Sequence, residues 1–205
     1  QLSASITHEL GQPISAMKNY LAAEEIANDA RPGSLSPQLS GLVDRMQRIV
    51  DQLRLFGRND PAKSDQFAVQ DAIRTALSLV QHTADAAGVV IALDLAETPM
   101  HTSGQANRFE QVVVNLLRNA IDAVGDGPER SVVLRLMNGD DIMIEVADSG
   151  PGLGALDMDD LKEPFFSTKP SGVGMGLGLA ISAQIINEMG GTLDAETADT
   201  GGAVF

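Results

Sequence analysis

Residues 172–179 read Gly-Val-Gly-Met-Gly-Leu-Gly-Leu, directly after Glu-Pro-Phe-Phe-Ser-Thr-Lys-Pro-Ser and at the start of an apolar helical pattern. Glycines at alternate positions permit backbone angles and close approaches that a Cβ forbids. The helix that follows opens on unpaired N–H groups and the positive end of its dipole, which attract an anion. Together they make a hinged cradle for a phosphate. Plain turns also carry alternate glycines, so the loop decides nothing alone. Its company upstream carries the weight.

The first companion is Asn115-Leu-Leu-Arg-Asn119-Ala-Ile-Asp122-Ala. A helix is predicted over 104–125, where Phe109, Val112, Val113, Leu116, Leu117, Ala120, Ile121 and Val124 form one apolar face at 3.6-residue spacing. Asn115 and Asn119 lie one turn apart beside that face. Amide oxygen is a hard ligand suited to magnesium, so the pair could hold a metal ion and a polyphosphate; boundary amides capping nearby loops are the plainer alternative. The second companion is Asp148-Ser-Gly150-Pro-Gly152, which ends a strand-like run from Asp141 and forces a turn. Asp148 there is either turn punctuation or an acceptor for the exocyclic amine of a base that the glycines let approach the backbone.

The order Asn115…Asn119, Asp148-x-Gly150-x-Gly152, Pro164-Phe165-Phe166 and Gly174-x-Gly176-x-Gly178 resembles the N, G1, F and G2 boxes of sensor histidine kinases, over about residues 100–205. The resemblance implies an α/β sandwich ATP-binding domain of the histidine kinase, chaperone and gyrase type. It makes Asp148 the adenine-recognition residue and Asn119 the magnesium ligand, with Asn115, Gly150, Gly152, Lys169, Gly174, Gly176 and Gly178 around the nucleotide. Lys169 or Arg118 would offer charge to the phosphates. Residues 153–173 would be a mobile lid. The chaperone, gyrase and mismatch-repair ATPases share these glycine boxes but usually carry Glu at the position of Asn115, where it activates water. An amide takes no proton from water at neutral pH, so the chemistry points to phosphoryl delivery to another acceptor.

That acceptor is expected near the other end. Leu2, Ile6, Leu10, Ile14, Met17 and Leu21 recur at three- to four-residue spacing, and His8 falls opposite this stripe with Ser5, Gln12, Ser15 and Asn19. Pro13 cannot donate to the carbonyl of Glu9 and bends the helix beside His8, while Gly11 weakens the same turn. His-Glu-x-x-Gln-Pro resembles the H box of the same kinases, which makes His8 the phosphoryl acceptor and Glu9 the neighbouring base or orienting carboxylate. A decorative surface histidine is the alternative.

After Arg31-Pro-Gly-Ser-Leu-Ser-Pro37, Leu39, Met46 and Leu53 repeat every seven residues, as do Leu42, Ile49 and Phe56. Two helices bury too little alone, so a homodimer through residues 1–57 is expected, as a four-helix bundle; a monomeric hairpin packed on the ATP domain is the alternative. The fold class is therefore α+β: a helical hairpin in a dimeric bundle, then an α/β sandwich. The polar stretch 58–66 reads as the linker and 67–205 as the ATP-binding domain, stopping in its last strand near Gly201–Phe205 as in a fragment of a larger sensor. Within it, strands are expected at 67–69, 88–95, 131–138, 141–147 and 191–197, with helices at 70–87 and 176–189 besides the one already placed.

Fourteen basic against 28 acidic residues give a net charge of −14, which argues against a nucleic-acid surface. Cysteine is absent, so no disulfide or thiolate site is available. No apolar run reaches the ~20 residues that span a bilayer, so this stretch reads as soluble; the resemblance implies a cytoplasmic location, with a membrane reached only through segments outside this chain. The resemblance implies ATP and magnesium as cofactors and a response regulator receiver domain as partner. Asp122 where many relatives have lysine, and Gln12 where others have threonine or asparagine, depart from the common pattern. His-Glu-Leu-x-Gln-Pro with Asn-Ala-x-Asp-Ala is most like the dicarboxylate and oxygen sensors. A hydrolytic ATPase and a catalytically silent scaffold are the competing readings.

Overall fold

The computed structural model describes residues 14–15, 17–21, 39, 43, 46, 65–125, 127, 129–156, 158–164, 166, 176–198 and 201–205. The chain divides into two compact units, residues 1–61 and 62–205. In the first unit the described residues are helical. Ile14 and Val43 are buried, and Leu21 packs against them. Met17, Tyr20, Leu39 and Met46 are 41%, 79%, 45% and 43% exposed. Ile14 of the first expected stripe is thus buried and Met17 uncovered, while Leu39 and Met46 of the second are uncovered and Val43 beside them is buried.

The second unit runs β1 (Asp65–Ala68), α1 (Val69–Ala87), β2 (Val90–Leu95), β3 (His101–Gly104), α2 (Ala106–Val124), β4 (Ser131–Asn138), β5 (Ile142–Asp148), α3 (Met158–Lys162), α4 (Gly178–Glu188), β6 (Glu196–Thr197) and β7 (Ala203–Val204). Five strands form a sheet in the order β2-β4-β5-β7-β6, parallel between β2 and β4 and antiparallel elsewhere. β1 and β3 make a separate antiparallel ribbon. In β4 the period of two is direct: Val132, Leu134 and Leu136 are buried, while Val133, Arg135 and Met137 between them are half-exposed. Arg135 faces Glu145 across the β4–β5 ladder and pairs with it.

α1 packs on α2, and α2 packs on α4 and on β4 and β5. The core therefore lies between one face of the sheet and these helices. Its fully buried side chains include Ile73 and Val80 from α1, Val113 and Leu117 from α2, Ile185 from α4, and Val132, Leu134 and Val146 from the sheet. Phe67 of β1 meets Phe109 of α2 with ring centroids 5.3 Å apart, which seats the ribbon on the start of α2.

Helix ends are closed by backbone rather than by side chains. Gly88 (φ 66°) donates to Asp85 O and Val89 donates to Ala84 O at 2.9 Å, a Schellman closure that turns the chain from α1 into β2. Gly190 (φ 82°) and Gly191 repeat it after α4, donating to Asn187 O and Ile186 O. Buried Gln70 fixes the 96–100 loop: its Nε2 donates to Thr98 O at 2.7 Å and its Oε1 accepts from Met100 N at 3.0 Å.

Two expectations need correction. The strand expected at 191–197 is confined to Glu196–Thr197, because its partner β7 offers only Ala203 and Val204 to pair with. β1 begins at Asp65, two residues ahead of the expected start, paired with Gly104 of β3, a short polar strand that no hydrophobic alternation announced. The segment read as a lid contains a short helix, α3, whose Lys162 lies 4.0 Å from Asp194.

At the β5–β7 junction a Cβ on Gly202 (φ +89°) would stand 1.8 Å from Asp148 O, whereas one on Gly201 (φ +86°) would meet nothing. Gly201→Ala should therefore cost about 1–2 kcal/mol through its left-handed backbone alone. Gly202→Ala should cost about 3 kcal/mol or more, overpacking being added to the same strain. Urea unfolding midpoints of the two variants check this, and equal losses would contradict it.

Arg108 and Glu188 form an ion pair between α2 and α4. The Arg108 guanidinium holds the Glu188 carboxyl below the usual carboxylate value against the opposing effect of burial, and Gln184 adds a further hydrogen bond. A depressed folded-state value stabilises the fold above the unfolded carboxylate pKa of about 4.3, and that stability is lost as pH falls through the folded value. The gap in unfolding free energy between wild type and Arg108→Gln should thus be open at neutral pH and close below about pH 4. Denaturant titrations across the acid range read it directly.

Candidate functional site

α2 places the site because its sequence is amphipathic in a particular way. Its eight buried residues are Phe109, Val112, Val113, Leu116, Leu117, Ala120, Ile121 and Val124, the stripe expected from spacing alone. At 100° per residue, Asn115, Arg118, Asn119 and Asp122 share one side along that stripe. Asn115 and Asn119 are half-buried there, and Arg118 and Asp122 are exposed.

Asn115 is turned toward α4. Its Nδ2 donates to Gly178 O and to Ser182 Oγ, each at 3.4 Å. A carbonyl oxygen accepts and never donates, so this contact assigns the amide: nitrogen toward α4, oxygen on the other branch. Ser182 is fully buried. No sequence signal marked it, since a serine inside an apolar helical pattern reads as filler. Gly178 opens α4, its N-cap Leu177 provides no side-chain cap, and Gly176 just before has φ 65°. First-turn N–H groups at such a helix start attract an anionic acceptor.

Asp148 ends β5 and is buried. Its Oδ1 accepts from Gly150 N at 2.8 Å, closing an Asx-turn, and from Ala203 N at 3.2 Å. The turn that follows is wedged between two elements. A Cβ on Gly150 would lie 2.8 Å from Ala123 O near the end of α2, and one on Gly152 would lie 2.7 Å from Thr197 Cγ2 of β6. Leu153 N donates to Thr197 Oγ1 at 3.1 Å. Neighbouring protein thus fills the space that the missing Cβ atoms of Gly150 and Gly152 leave.

Two clusters result, both against α2. Asn115 meets Gly178 and Ser182, and one helical stretch on, Ala123 meets Gly150 beside Asp148. Eight residues of helix separate Asn115 from Ala123, about 12 Å along the axis. His8, Glu9, Lys169 and Gly174 lie outside the described residues. His82 and His101 are exposed and belong to neither cluster.

Magnesium fits the first cluster in one mode. Among the described residues no group of three or more His, Cys, Asp or Glu could cage a metal. Asn115, its Nδ2 engaged, offers only an acceptor, and Asn119 brings a second amide one turn on. One or two protein oxygens completed by substrate phosphates is the manner in which magnesium is commonly held. Among the described residues no helix is long and apolar enough to cross a membrane.

Comparison with known proteins agrees with this geometry. A family model described as histidine kinase-, DNA gyrase B-, and HSP90-like ATPase matches residues 104–205. The C4-dicarboxylate transport sensor protein DctB of Pseudomonas aeruginosa is 34% identical over 211 residues, covering 99% of this chain and 34% of that protein. The sensor histidine kinase ZraS of Klebsiella oxytoca is 34% identical over 208 residues, covering 100% of this chain and 44% of that protein. The chain thus spans less than half the length of these relatives. Full-length ShkA, solved in complex with AMPPNP, has the same fold with a TM-score of 0.80 at 22% identity, over 100% of this chain and 44% of that one. Two asparagines on α2, a pinned aspartate at the end of β5 and a glycine-led α4, together with these likenesses, mean that the chain belongs to the sensor histidine kinases, with an ATPase domain of the histidine kinase and gyrase type and with the C4-dicarboxylate sensors among its relatives.

Proposed function

We propose that this chain is the kinase core of a two-component sensor, which transfers the γ-phosphoryl group of Mg-ATP to His8 and then to an aspartate of a response regulator. The observation that carries the reading is the Asn115 amide. Its nitrogen donates to the carbonyl of Gly178, so the position that holds a general base in the related hydrolases holds a hydrogen-bond donor here. With water not activated at that point, a protein nucleophile is the acceptor.

Asp148 would recognise adenine: its Oδ1 is committed to Gly150 and Ala203, which leaves Oδ2 to accept a hydrogen bond from the exocyclic amine. Gly176 and Gly178 would let the phosphates approach the backbone at the start of α4. Gly174 and Lys169, outside the described residues, are proposed as further nucleotide-binding residues. Asn119 and Asn115 take the magnesium side; the ion, when bound, would neutralise charge on the β- and γ-phosphate oxygens. Arg118, exposed on the same side of α2, adds positive charge.

A ring nitrogen of His8 attacks the γ-phosphorus. The N–P bond forms, the bond to the bridging oxygen breaks, and ADP leaves. Glu9 orients the imidazole and holds the proton on its other nitrogen. In the second transfer a receiver-domain aspartate oxygen attacks the same phosphorus and the N–P bond breaks, returning His8. This core works in the cytoplasm, where ATP and the regulator are found, and any membrane attachment lies in segments outside this chain.

The first unit acts as a homodimer. Ile14 and Val43 form a small buried contact within the unit, while Met17, Tyr20, Leu39 and Met46 stay exposed. Leu39 and Met46 are one heptad apart, so a second copy would cover both along one seam as a four-helix bundle.

Two experiments test this. Incubated with magnesium and γ-labelled ATP, the wild-type chain should acquire acid-labile, alkali-stable label, and His8→Ala should acquire none; label that survives in the variant removes His8 from the mechanism, and phosphate release without label replaces the kinase with a hydrolase. By sedimentation equilibrium the wild type should be a dimer and Met46→Glu should shift it toward monomer. A monomeric wild type would remove the bundle.

A further inference from the structure

Ser182 lies in the interior of α4 with no exposed surface, in a run of apolar residues where alanine, valine or isoleucine would pack without a polar atom to satisfy. Its Oγ faces Asn115 Nδ2 at 3.4 Å, beside the Gly178 carbonyl at the same distance. Gly178 and Ser182 are i and i+4 on one helix, so their oxygens stack on one face of α4 and present two acceptors to a single donor.

We propose that Ser182 is a positioning residue for Asn115, and through it for magnesium. This rests on the reading of the site as a Mg-ATP site. The carboxamide is planar, and its nitrogen and oxygen diverge from one carbon, so holding Nδ2 on α4 fixes the direction of Oδ1. With Nδ2 engaged, the oxygen is what Asn115 has to give. An acceptor facing a polyphosphate gains nothing from the anion itself and acts through the cation or its bound water. The Gly178 carbonyl alone leaves the amide one long hydrogen bond about which it can swing; the second acceptor removes that freedom. Because Gly178 begins the helix that follows the glycine loop, the same contact ties the orientation of the magnesium-side amide to the seating of α4.

The test is a double-mutant cycle on nucleotide affinity. Wild type, Ser182→Ala, Asn115→Ala and the double variant are titrated with ATP, by displacement of a fluorescent nucleotide, once in magnesium and once in EDTA, with thermal melts of each protein alone. Ser182→Ala should weaken ATP binding in magnesium about fivefold, the worth of one hydrogen bond. It should leave binding in EDTA unchanged and have no further effect in the Asn115→Ala background. A loss of equal size in EDTA, or one that persists when Asn115 is already alanine, makes Ser182 a packing residue and overturns the proposal, as does an unchanged affinity. Should Ser182→Ala fail to fold, Ser182→Cys keeps the volume with a weaker acceptor and carries the same expectation. A wild type whose ATP binding is independent of magnesium overturns the underlying reading and the proposal together; a magnesium-dependent wild type with an unaffected variant overturns the proposal alone.

Discussion

α2 has a dry side, a wet side and a seam between them, and the seam is where it is fastened to α4. The dry side dominates the energy: each of the larger buried side chains, Phe109, Leu116, Leu117 and Ile121 among them, is worth about 1.5–3 kcal/mol on burial. The polar fastenings are small beside that. The Asn115 bonds contribute about 1 kcal/mol net, and the partly exposed Arg108–Glu188 pair less than about 1 kcal/mol. Apolar burial therefore makes α2 and α4 pack, but a smooth apolar face tolerates rotation and sliding. The two fastenings, seven residues and about 10 Å apart on α2, select one rotation and one register. Asn115 and Asn119 hold their places along the site for that reason.

The other end of the site depends on closure of the sheet. β7 adds to β5 through the pairing of Ala147 with Val204 and through reciprocal bonds between Val146 and Phe205 at 2.9 and 3.0 Å. That brings Ala203 N to the Asp148 carboxylate and Gly202 against its backbone carbonyl. The carboxylate is held by one local donor and one that is 55 residues away in sequence. Disturbing the last strand therefore disturbs Asp148 directly, with no intervening conformational step needed. The Ser149 hydroxyl, donating to Glu129 O at 2.8 Å and accepting from Ser131 N, holds the neighbouring β4 entry in the same cluster.

What could be read from the chain divides along these physical lines. The stripe of α2 was fully readable, because nineteen residues of helix repeat the apolar spacing often enough to fix its phase, and the eight residues named from spacing are the eight buried. The β4–β5 hairpin was readable for the same reason at period two, and Gly139 closes it by donating to Asp141 O. β3 was not, since four polar residues carry no period and exist as a strand only through a partner, and β6 was expected longer than the two residues that pair. Asp148 could be located but not its burial, because the Ala203 donor is a tertiary fact. Gly150 and Gly152 read as space for a ligand, and Ala123 O and Thr197 Cγ2 lie where their Cβ atoms would stand. Close approach of backbone to backbone leaves the same glycine in the sequence as close approach to a ligand. Ser182 left no trace at all.

That ambiguity bears on the choice between hydrolysis and transfer. Seen from the pocket, an amide at position 115 is a missing base, an absence that a single substitution would repair. Seen from α4, it is a required donor. A carboxylate at 115 would bring its negative charge against the Gly178 carbonyl and would have only the Ser182 hydroxyl to donate to it. Acquiring a base there would thus unfasten the seam that orients the helix after the glycine loop. The amide at position 115 is held in a contact between two helices, and a change of chemistry at this position would need a change of packing behind it.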